Sequence, residues 1–476
     1  MASKAKEKAL EWISKNESRI TEISDKIWEW AELGLIEFKS SALLADELEK
    51  AGFKVQRGIA GMPTAFVASY GSGKPAIGIL GEYDALPGLS QKPIPKKEPL
   101  VPGAPGHGCG HNIYGASGIA AAIAVKTAME ATGLKGTVKF FGCPAEENFS
   151  GKAFMVRDGF FNGLDAVFGH HPGGMNAVTL KSCLAINSAK FKFYGEAAHA
   201  AGSPEHGRSA LDAVELMNVG VNYLREHVIQ EARIHYVIDS GGGQPNVVPA
   251  FARSWYYVRA PEREQVESIY KRILDIAKGA ALMTGTTYEV EFLEGLYNII
   301  PNRPLAELVV KNMREIGTPK YTEEELRFAR EMAKTISPEE KREQLRKSKR
   351  PGWEKLLDVI LDESVPDPWG EGEVSPGSTD VAEVSWQVPT VEFSTAACML
   401  GTPGHSWQFA AFCGMSIGHK SLIFASKTIA ASVIDLLENP KLLKEAKEDF
   451  TKRLQGRVYK SPLPPDAKPP LDIWKK

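Results

Sequence analysis

Residues 137–147 read TVKFFGCPAEE, a short apolar run that leads into a cysteine, a proline and two adjacent glutamates. Such a run predicts a buried β-strand whose carboxyl end carries the polar group. Similar runs occur at residues 76–80 (AIGIL) and 165–169 (DAVFG), and residues 117–129 predict a helix of small residues between the strands. Strands that alternate with helices predict an α/β fold with a mostly parallel sheet and helices on both faces.

The pattern changes after residue 186, where the predicted order becomes strand, helix, strand, strand, helix, strand. These elements are predicted at residues 187–195, 209–227, 233–239, 251–258 and 261–284, with a last strand, TYEVEFL, that closes the segment near residue 295. This order predicts a small ferredoxin-like α+β layer over residues 187–295, inserted in a larger domain. The larger domain then comprises residues 1–186 and 296–476, and it carries a charged helical insert at 319–376.

The composition argues against several classes of protein. The 476 residues include 57 Lys and Arg against 59 Asp and Glu, and the net charge of −2 gives no reason to expect nucleic acid or an anionic membrane as a partner. The N-terminus lacks the apolar core of a signal peptide, and the most apolar helical stretch, residues 118–125, is far shorter than the roughly 20 residues of a membrane span. Five cysteines are too few for a disulfide framework in a chain of this length. We therefore expect a soluble, cytoplasmic protein.

Metal-ligand side chains follow four separate predicted strands. They are Cys109 and His111 in GHGCGHN, Glu146 and Glu147 in PAEE, His171 in HHP, and His405 in GTPGH. The carboxyl ends of parallel strands share one crevice, so these four segments can meet there. One thiol, three imidazoles and one or two carboxylates suit divalent first-row metals.

Five protein ligands exceed what one catalytic ion with an open position needs, so two ions roughly 3.5–4 Å apart and bridged by a water fit better. In the Glu146–Glu147 pair, one carboxylate can bind metal while its neighbour takes a proton from that water and passes it to a leaving amine. Each motif alone is weak evidence, because Cys109 could be a core thiol and two adjacent glutamates are usually exposed surface. Their joint placement after strands favours the metal hypothesis.

Six motifs together resemble those of the zinc-dependent aminoacylase and carboxypeptidase G-like amidohydrolases. They are GEYDALP at 81–87, GHGCGHN at 106–112, PAEE at 144–147, HHP at 170–172, GEAAH at 195–199 and GTPGH at 401–405. They follow in that family's order and cover most of the chain. Within the family, GSTDV at 377–381, GHK at 418–420 and the charged insert resemble the branch formed by the B-type component of aminobenzoyl-glutamate hydrolase more than the auxin-conjugate amidohydrolases.

The resemblance implies a role for each matching residue. The implied metal ligands are Cys109, His111, Glu147, His171 and His405, and they would hold two divalent ions per chain, Zn²⁺, Mn²⁺ or Co²⁺. Cys109 stands where related peptidases usually carry a bridging aspartate. Glu146 matches the catalytic base, and Asp84 matches an aspartate that orients a metal-ligand histidine.

The inserted layer resembles the family's lid, which commonly forms a homodimer interface. His199 matches a lid histidine that reaches the neighbouring subunit's active site and stabilises the oxyanion. Asn246 and Arg259 match lid residues that hold the substrate's free carboxylate, for which the Arg fork is well suited. One departure is Glu82, which stands where peptidase members carry a metal-binding histidine. His111 is expected to take that place.

The resemblance implies hydrolysis of the amide bond in N-acyl or N-aroyl amino acids such as p-aminobenzoyl-glutamate. A dipeptidase and an indoleacetyl-aspartate hydrolase would use the same site, so both stay open. A non-catalytic, metal-stabilised binding protein also stays open, because Glu82 replaces the usual histidine. A two-metal phosphoester hydrolase is a weaker alternative, since no P-loop motif appears. The sequence also leaves open whether a second, different subunit is required.

Overall fold

The computed structural model describes residues 3–474, which form fifteen α-helices and twelve β-strands in that range. The helices are α1 Lys4–Lys15, α2 Glu17–Trp30, α3 Phe38–Lys50, α4 His111–Thr132, α5 Glu146–Phe149, α6 Gly151–Arg157, α7 Ala210–Leu224, α8 Arg263–Thr284, α9 Arg303–Ile316, α10 Glu323–Ala333, α11 Pro338–Ser348, α12 Val381–Ser385, α13 Trp407–Cys413, α14 Ser416–Glu438 and α15 Pro440–Leu454. The strands are β1 Lys54–Arg57, β2 Phe66–Ser72, β3 Ala76–Glu82, β4 Gly136–Cys143, β5 Ala166–His170, β6 Ser182–Cys183, β7 Ala185–Tyr194, β8 Arg233–Ser240, β9 Phe251–Ala260, β10 Thr287–Leu296, β11 Val374–Ser375 and β12 Thr390–Phe393.

A six-stranded sheet in the order β1-β2-β4-β3-β5-β12 forms the centre of the larger unit. Strands β4, β3, β5 and β12 pair in parallel, while β1–β2 and β2–β4 are antiparallel. The predicted α/β fold with a mostly parallel sheet is confirmed. The antiparallel strands β1 and β2 were not predicted, and they extend the sheet on the side away from β5.

Helix α4 packs directly on the backbone of β3, and this contact positions the start of the helix. A Cβ atom added at Gly115 would lie 2.6 Å from the carbonyl oxygen of Glu82, and one at Gly118 would lie 2.7 Å from that of Leu80. Both positions therefore need glycine for so close an approach. As a result His111, the first residue of α4, lies beside the carboxyl end of β3.

A second sheet has the order β10-β7-β9-β8, and all of its pairings are antiparallel. Helices α7 and α8 pack on this sheet around a separate core that includes Phe191, Tyr256 and Ile273. The predicted order of strand, helix, strand, strand, helix, strand is confirmed. The first strand begins at Ala185 and the last ends at Leu296, slightly beyond the predicted limits of 187 and 295.

The charged insert is helical over a shorter range than predicted. Helices α10 and α11 and a 3₁₀ turn at Trp353–Leu356 account for its helical part, and residues 357–373 contain no helix. The prediction of a helical insert to residue 376 is therefore wrong in its second half. Prolines and glycines between residues 366 and 376 explain the difference, because proline lacks the donor that a helix needs and glycine lowers helix stability. Among residues 3–474, no helix is long and apolar enough to cross a membrane.

Candidate functional site

The predicted ligand residues converge at the carboxyl edge of the six-stranded sheet. The Cys109 Sγ atom lies 3.2 Å from His171 Nε2, and His405 Nε2 lies 3.3 Å from Glu147 Oε2. The ligand atoms of Cys109, His111 and His171 lie within 4.8 Å of one another, and so do those of Cys109, Glu147 and His405. The structure therefore forms two candidate metal groups that share the Cys109 thiol.

Two residues with left-handed backbone conformation place ligands at this site. Ala145 has φ +59° and ends the turn between β4 and α5, so that Glu146 and Glu147 begin the short helix. His405 itself has φ +52°, and its backbone N–H donates to the carbonyl oxygen of Gly108 at 3.0 Å. This bond joins the GTPGH segment to the loop that carries Cys109. Non-glycine residues rarely adopt positive φ, and such positions are frequent at functional sites.

His111 is held in one orientation by Asp84. The His111 Nδ1 atom lies 2.8 Å from Asp84 Oδ1, and Asp84 Oδ2 accepts the backbone N–H of Glu147 at 2.9 Å. Nδ1 therefore donates to Asp84, and Nε2 faces the candidate metal groups. The buried atoms His111 Nε2 and Glu147 Oε1 make no hydrogen bond within the described chain. A bound cation would satisfy both atoms, so the residues present fit a metal centre.

A buried ion-pair network that was not predicted borders the same site. Lys152 Nζ lies 2.5 Å from Glu82 Oε1 and 2.7 Å from Asp380 Oδ1. Asp380 Oδ2 also accepts the backbone N–H of Lys152 at 2.8 Å. Glu82 Oε2 lies 3.1 Å from His111 Nε2. Lysine is rarely fully buried, so only the replacement at Glu82 gave a sequence signal for this network.

The site contains more buried negative charge than positive charge. Burial together with the Glu82 and Asp380 carboxylates raises the pKa of Glu146 well above its ordinary value. Burial also raises the pKa of Glu147. Burial lowers the pKa of His111, but Asp84 and Glu82 outweigh this effect and raise it well above the ordinary value. The pocket therefore favours a positive charge near His111 Nε2.

The remaining predicted residues lie in the second sheet and its loops. His199 is exposed, and its Nδ1 accepts the backbone N–H groups of Ala201 and Gly202 at 3.2 and 3.0 Å. Asn246 is also exposed, and its backbone carbonyl oxygen accepts the backbone N–H of Ala200 at 3.0 Å. His199 and Asn246 thus lie on adjacent backbone segments, and their described hydrogen bonds stay within this part of the chain.

Arg259 lies at the other end of β9 from Asn246. Asn246 precedes Phe251, the first residue of β9, whereas Arg259 is next to its last. At about 3.3 Å per residue, the strand alone separates the two residues by roughly 25 Å. Because the extended strand keeps them apart, Asn246 and Arg259 of the same chain cannot contact one carboxylate, and their predicted roles stay predictions. The Arg259 Nη1 atom lies 3.4 Å from Ser378 Oγ, and its buried Nε makes no hydrogen bond within residues 3–474.

Comparisons with known proteins give matches over most of the chain. Residues 78–342 match the model of the peptidase family M20/M25/M40. The chain is 42% identical to the B-type component of the p-aminobenzoyl-glutamate hydrolase of Escherichia coli, over 96% of this chain and 97% of that protein. It is 29% identical to an Xaa-Arg dipeptidase of Mus musculus, over 94% and 93% of the two chains. The fold resembles that of a dinuclear metal-binding M20 peptidase of Bacillus subtilis, with a TM-score of 0.56 and 19% identity over 89% of this chain and 99% of that one.

Proposed function

The chain belongs to the peptidase family M20/M25/M40 and is a metal-dependent amidohydrolase, and we propose that it uses two divalent ions to hydrolyse the amide of N-acyl or N-aroyl amino acids. The observation that carries this proposal is the pair of ligand groups that share Cys109. The preferred substrate class includes p-aminobenzoyl-glutamate, because a relative with 42% identity carries that substrate in its name.

Each ion would have its own ligands in addition to the shared thiolate. His111 and His171 would hold one ion, and Glu147 and His405 would hold the other, with Cys109 between them. When bound, the ions supply a nucleophilic water and polarise the amide carbonyl. Thiolate and imidazole suit Zn²⁺ or Co²⁺, whereas the carboxylate also suits Mn²⁺. We therefore keep all three ions as candidates.

Glu146 would act as the proton carrier of the reaction. It lies beside Glu147 at the start of α5 and outside both groups that share Cys109. Without bound ions, burial and neighbouring carboxylates raise the pKa of Glu146 and favour its protonated form. Bound cations would lower that pKa, and the ionised carboxylate could then accept a proton from water and deliver it to the departing amine. Asp84 would keep His111 oriented during these steps.

The second sheet would act as a lid that pairs two copies of the chain. Strand β8 lies at the end of the sheet order, and its residues Val237 and Ile238 are 57% and 43% exposed. On the adjacent helix α7, Val219 and Tyr223 are 49% and 75% exposed. An unpaired edge beside an apolar helix face is a surface on which another chain can add. We therefore expect a homodimer formed through α7 and β8.

A homodimer also gives the separated lid residues a common role. Arg259 would bind the substrate carboxylate in its own subunit, where its buried Nε makes no hydrogen bond within the described chain. His199 and Asn246 would reach the site of the partner copy, His199 toward the oxyanion and Asn246 toward the carboxylate. The name of the Escherichia coli relative marks it as one component of a multi-component enzyme, so we also consider a second, different subunit.

The test measures amine release from a substrate panel by metal-reconstituted enzyme. The metal-free chain is loaded separately with Zn²⁺, Mn²⁺ and Co²⁺ and given p-aminobenzoyl-glutamate, N-acetyl amino acids, indoleacetyl-aspartate and dipeptides with C-terminal arginine. The dipeptides test the second candidate function, which the similarity to an Xaa-Arg dipeptidase favours. Turnover that requires metal, and that falls by about 10²–10⁴-fold in Glu146→Gln with both ions bound, supports the proposal. Normal turnover by the metal-loaded variant would contradict it.

The dimer is tested by light scattering on the wild type and on Tyr223→Arg. The variant places a charge on the exposed α7 face, so we expect it to be monomeric and to have low activity with intact metal content. A wild-type chain that is monomeric at all concentrations, and inactive until a second, different chain is added, would replace the homodimer with a heteromer.

A further inference from the structure

We propose that Glu82 is an additional metal ligand on the His111 side of the centre and that the buried Lys152 ammonium positions it there. This inference rests on the proposed function, because it concerns the same dinuclear centre. The His111 side of the centre then has a carboxylate ligand, which the group formed by Cys109, His111 and His171 lacks.

The first argument is the position of the free Glu82 oxygen. Both carboxylate oxygens are buried and make no hydrogen bond within the described chain. Oε1 forms an ion pair with Lys152 Nζ at 2.5 Å, whereas Oε2 has no lysine partner and lies 3.1 Å from His111 Nε2. The ligand atoms of Glu82, His111 and Glu146 all lie within 4.8 Å of one another. An ion bound at about 2.1 Å from each of two atoms at angles of about 90–110° requires them to be about 3.0–3.4 Å apart. The distance between Oε2 and Nε2 meets this condition.

The second argument is the charge on the facing atoms. Asp84 accepts the Nδ1 proton of His111, so Nε2 presents a lone pair whenever it carries no proton of its own. A carboxylate oxygen at 3.1 Å from a lone pair is repelled unless a cation lies between or beside them. Either a proton on Nε2 or a metal ion bound to both atoms removes this repulsion. These two possibilities differ in a measurable way, because only the second makes metal affinity depend on Glu82.

The third argument is the rigidity of the support behind Glu82. Lys152 on α6 holds Glu82 through its side chain, while Asp380 binds both the ammonium and the backbone N–H of Lys152. The side chains of all three residues are at most 1% exposed. A buried ammonium between two carboxylates fixes the direction of both, and supports of this kind typically change metal affinity about 10–100-fold when removed. Lys152 is thus a positioning residue that acts through Glu82.

The test measures metal affinity rather than activity. The stepwise dissociation constants of Zn²⁺ and Co²⁺ are determined by competition with a chromophoric chelator for the wild type, Glu82→Gln and Lys152→Met. Lys6→Met is the matched control, because Lys6 is also buried and paired, with Asp435 at 2.6 Å and Asn312 at 2.8 Å, in the α1–α9–α14 region.

We expect Glu82→Gln to raise the dissociation constant of one of the two ions by about 10–100-fold and to leave that of the other ion unchanged. Lys152→Met should raise the dissociation constant of the same ion. Lys6→Met should keep both wild-type constants. Wild-type affinity for both ions in Glu82→Gln would overturn the inference and assign Glu82 to a proton-mediated contact with His111. A wild type that binds fewer than two ions would instead contradict the proposed dinuclear function.

A second measurement needs no variant and therefore does not depend on the variants' ability to fold. Crystals of the Mn²⁺-loaded wild type are examined by anomalous diffraction at the manganese edge. A Glu82 oxygen within about 2.4 Å of an ion supports the inference, because direct carboxylate bonds to such ions are about 2.0–2.2 Å long. Both ions beyond about 3 Å from every Glu82 oxygen would overturn it.

Discussion

Replacement of Asp84 by asparagine should loosen the metal centre without removing any residue that would touch a metal. Asp84 uses both of its oxygens: Oδ1 accepts from His111 Nδ1 at 2.8 Å, and Oδ2 accepts the Glu147 N–H at 2.9 Å. Asparagine has one carbonyl oxygen and one NH₂ group, so it can accept from only one of these two donors. The other donor then faces an NH₂ group, which is also a donor.

The size of the effect follows from the position of Asp84 behind two predicted ligands. Loss of such a support typically lowers metal affinity about 10–100-fold, which corresponds to about 1.4–2.7 kcal/mol. The effect should fall on both ions, because His111 belongs to one candidate group and Glu147 to the other. The pKa of His111, which Asp84 and Glu82 raise against the effect of burial, should also fall toward its ordinary value in the metal-free protein.

The assay is competition for Zn²⁺ between the protein and a chelator, followed by amine release at saturating metal. Asp165→Asn is the matched control. Asp165 is also buried and accepts a backbone N–H, that of Ala76 at 2.7 Å, but it lies just before β5, at the opposite end of that strand from His171. We expect the control to lose stability and to keep its metal affinity. Two ions bound to Asp84→Asn with wild-type constants would refute the assigned role of Asp84.

Three further outcomes can be measured. Burial raises the pKa of Glu383 to about 7 from 4.5, so between about pH 4.5 and 7 this group ionises in the unfolded chain while the folded chain keeps it protonated, and the free energy of unfolding falls by up to about 3 kcal/mol. Urea unfolding of Glu383→Gln should lack this part of the slope, and equal slopes would contradict the shift. Gly34→Ala would place a Cβ atom 2.9 Å from Ala145 Cα, so it should displace the start of α5 and lower kcat by up to about 10²-fold with metal still bound; unchanged kcat would show that the loop yields freely. Trp474→Ala removes a 2.8 Å hydrogen bond to the Gly34 carbonyl and an edge contact with Phe149, so urea unfolding should show a loss of about 1–2 kcal/mol; no loss would mean that the C-terminal segment does not stabilise the fold.

The central strands could be predicted because each is an apolar run that ends in polar residues. Strands β3, β4 and β5 lie where the sequence predicts them, and the parallel order follows from their alternation with helices. Helix α4 was predicted from residue 117, but it begins at His111. Its first turn carries two polar residues: His111 lies at the site, and Asn112 donates to Ser24 Oγ and to the Cys413 carbonyl oxygen. These residues do not contribute to an apolar pattern, so the pattern did not show where the helix begins.

The network around Lys152 could not be predicted from residue type alone. Lysine is rarely fully buried, and the sequence does not show that Asp380, 228 residues away, will pair with it. The distance between Asn246 and Arg259 is a second feature that residue type does not show. The two residues are close in sequence, but an extended strand converts that short separation into a long distance. Both features concern long-range geometry rather than local pattern.

Charge balance connects the packing of this site to its proposed chemistry. Five carboxylates, those of Glu82, Asp84, Glu146, Glu147 and Asp380, surround His111 or its neighbours, and Lys152 is the one lysine ammonium that pairs with them among the described residues. A protein interior holds such an excess of negative charge only if protons or bound cations neutralise it. Two divalent ions would supply that charge and release the protons from ligands such as the Cys109 thiol, whose pKa burial raises. The close packing that places His111 against β3 also gathers these carboxylates at one point, so the proposed ions would bind where the negative charge is concentrated and Glu146 would lie beside them as the proton acceptor.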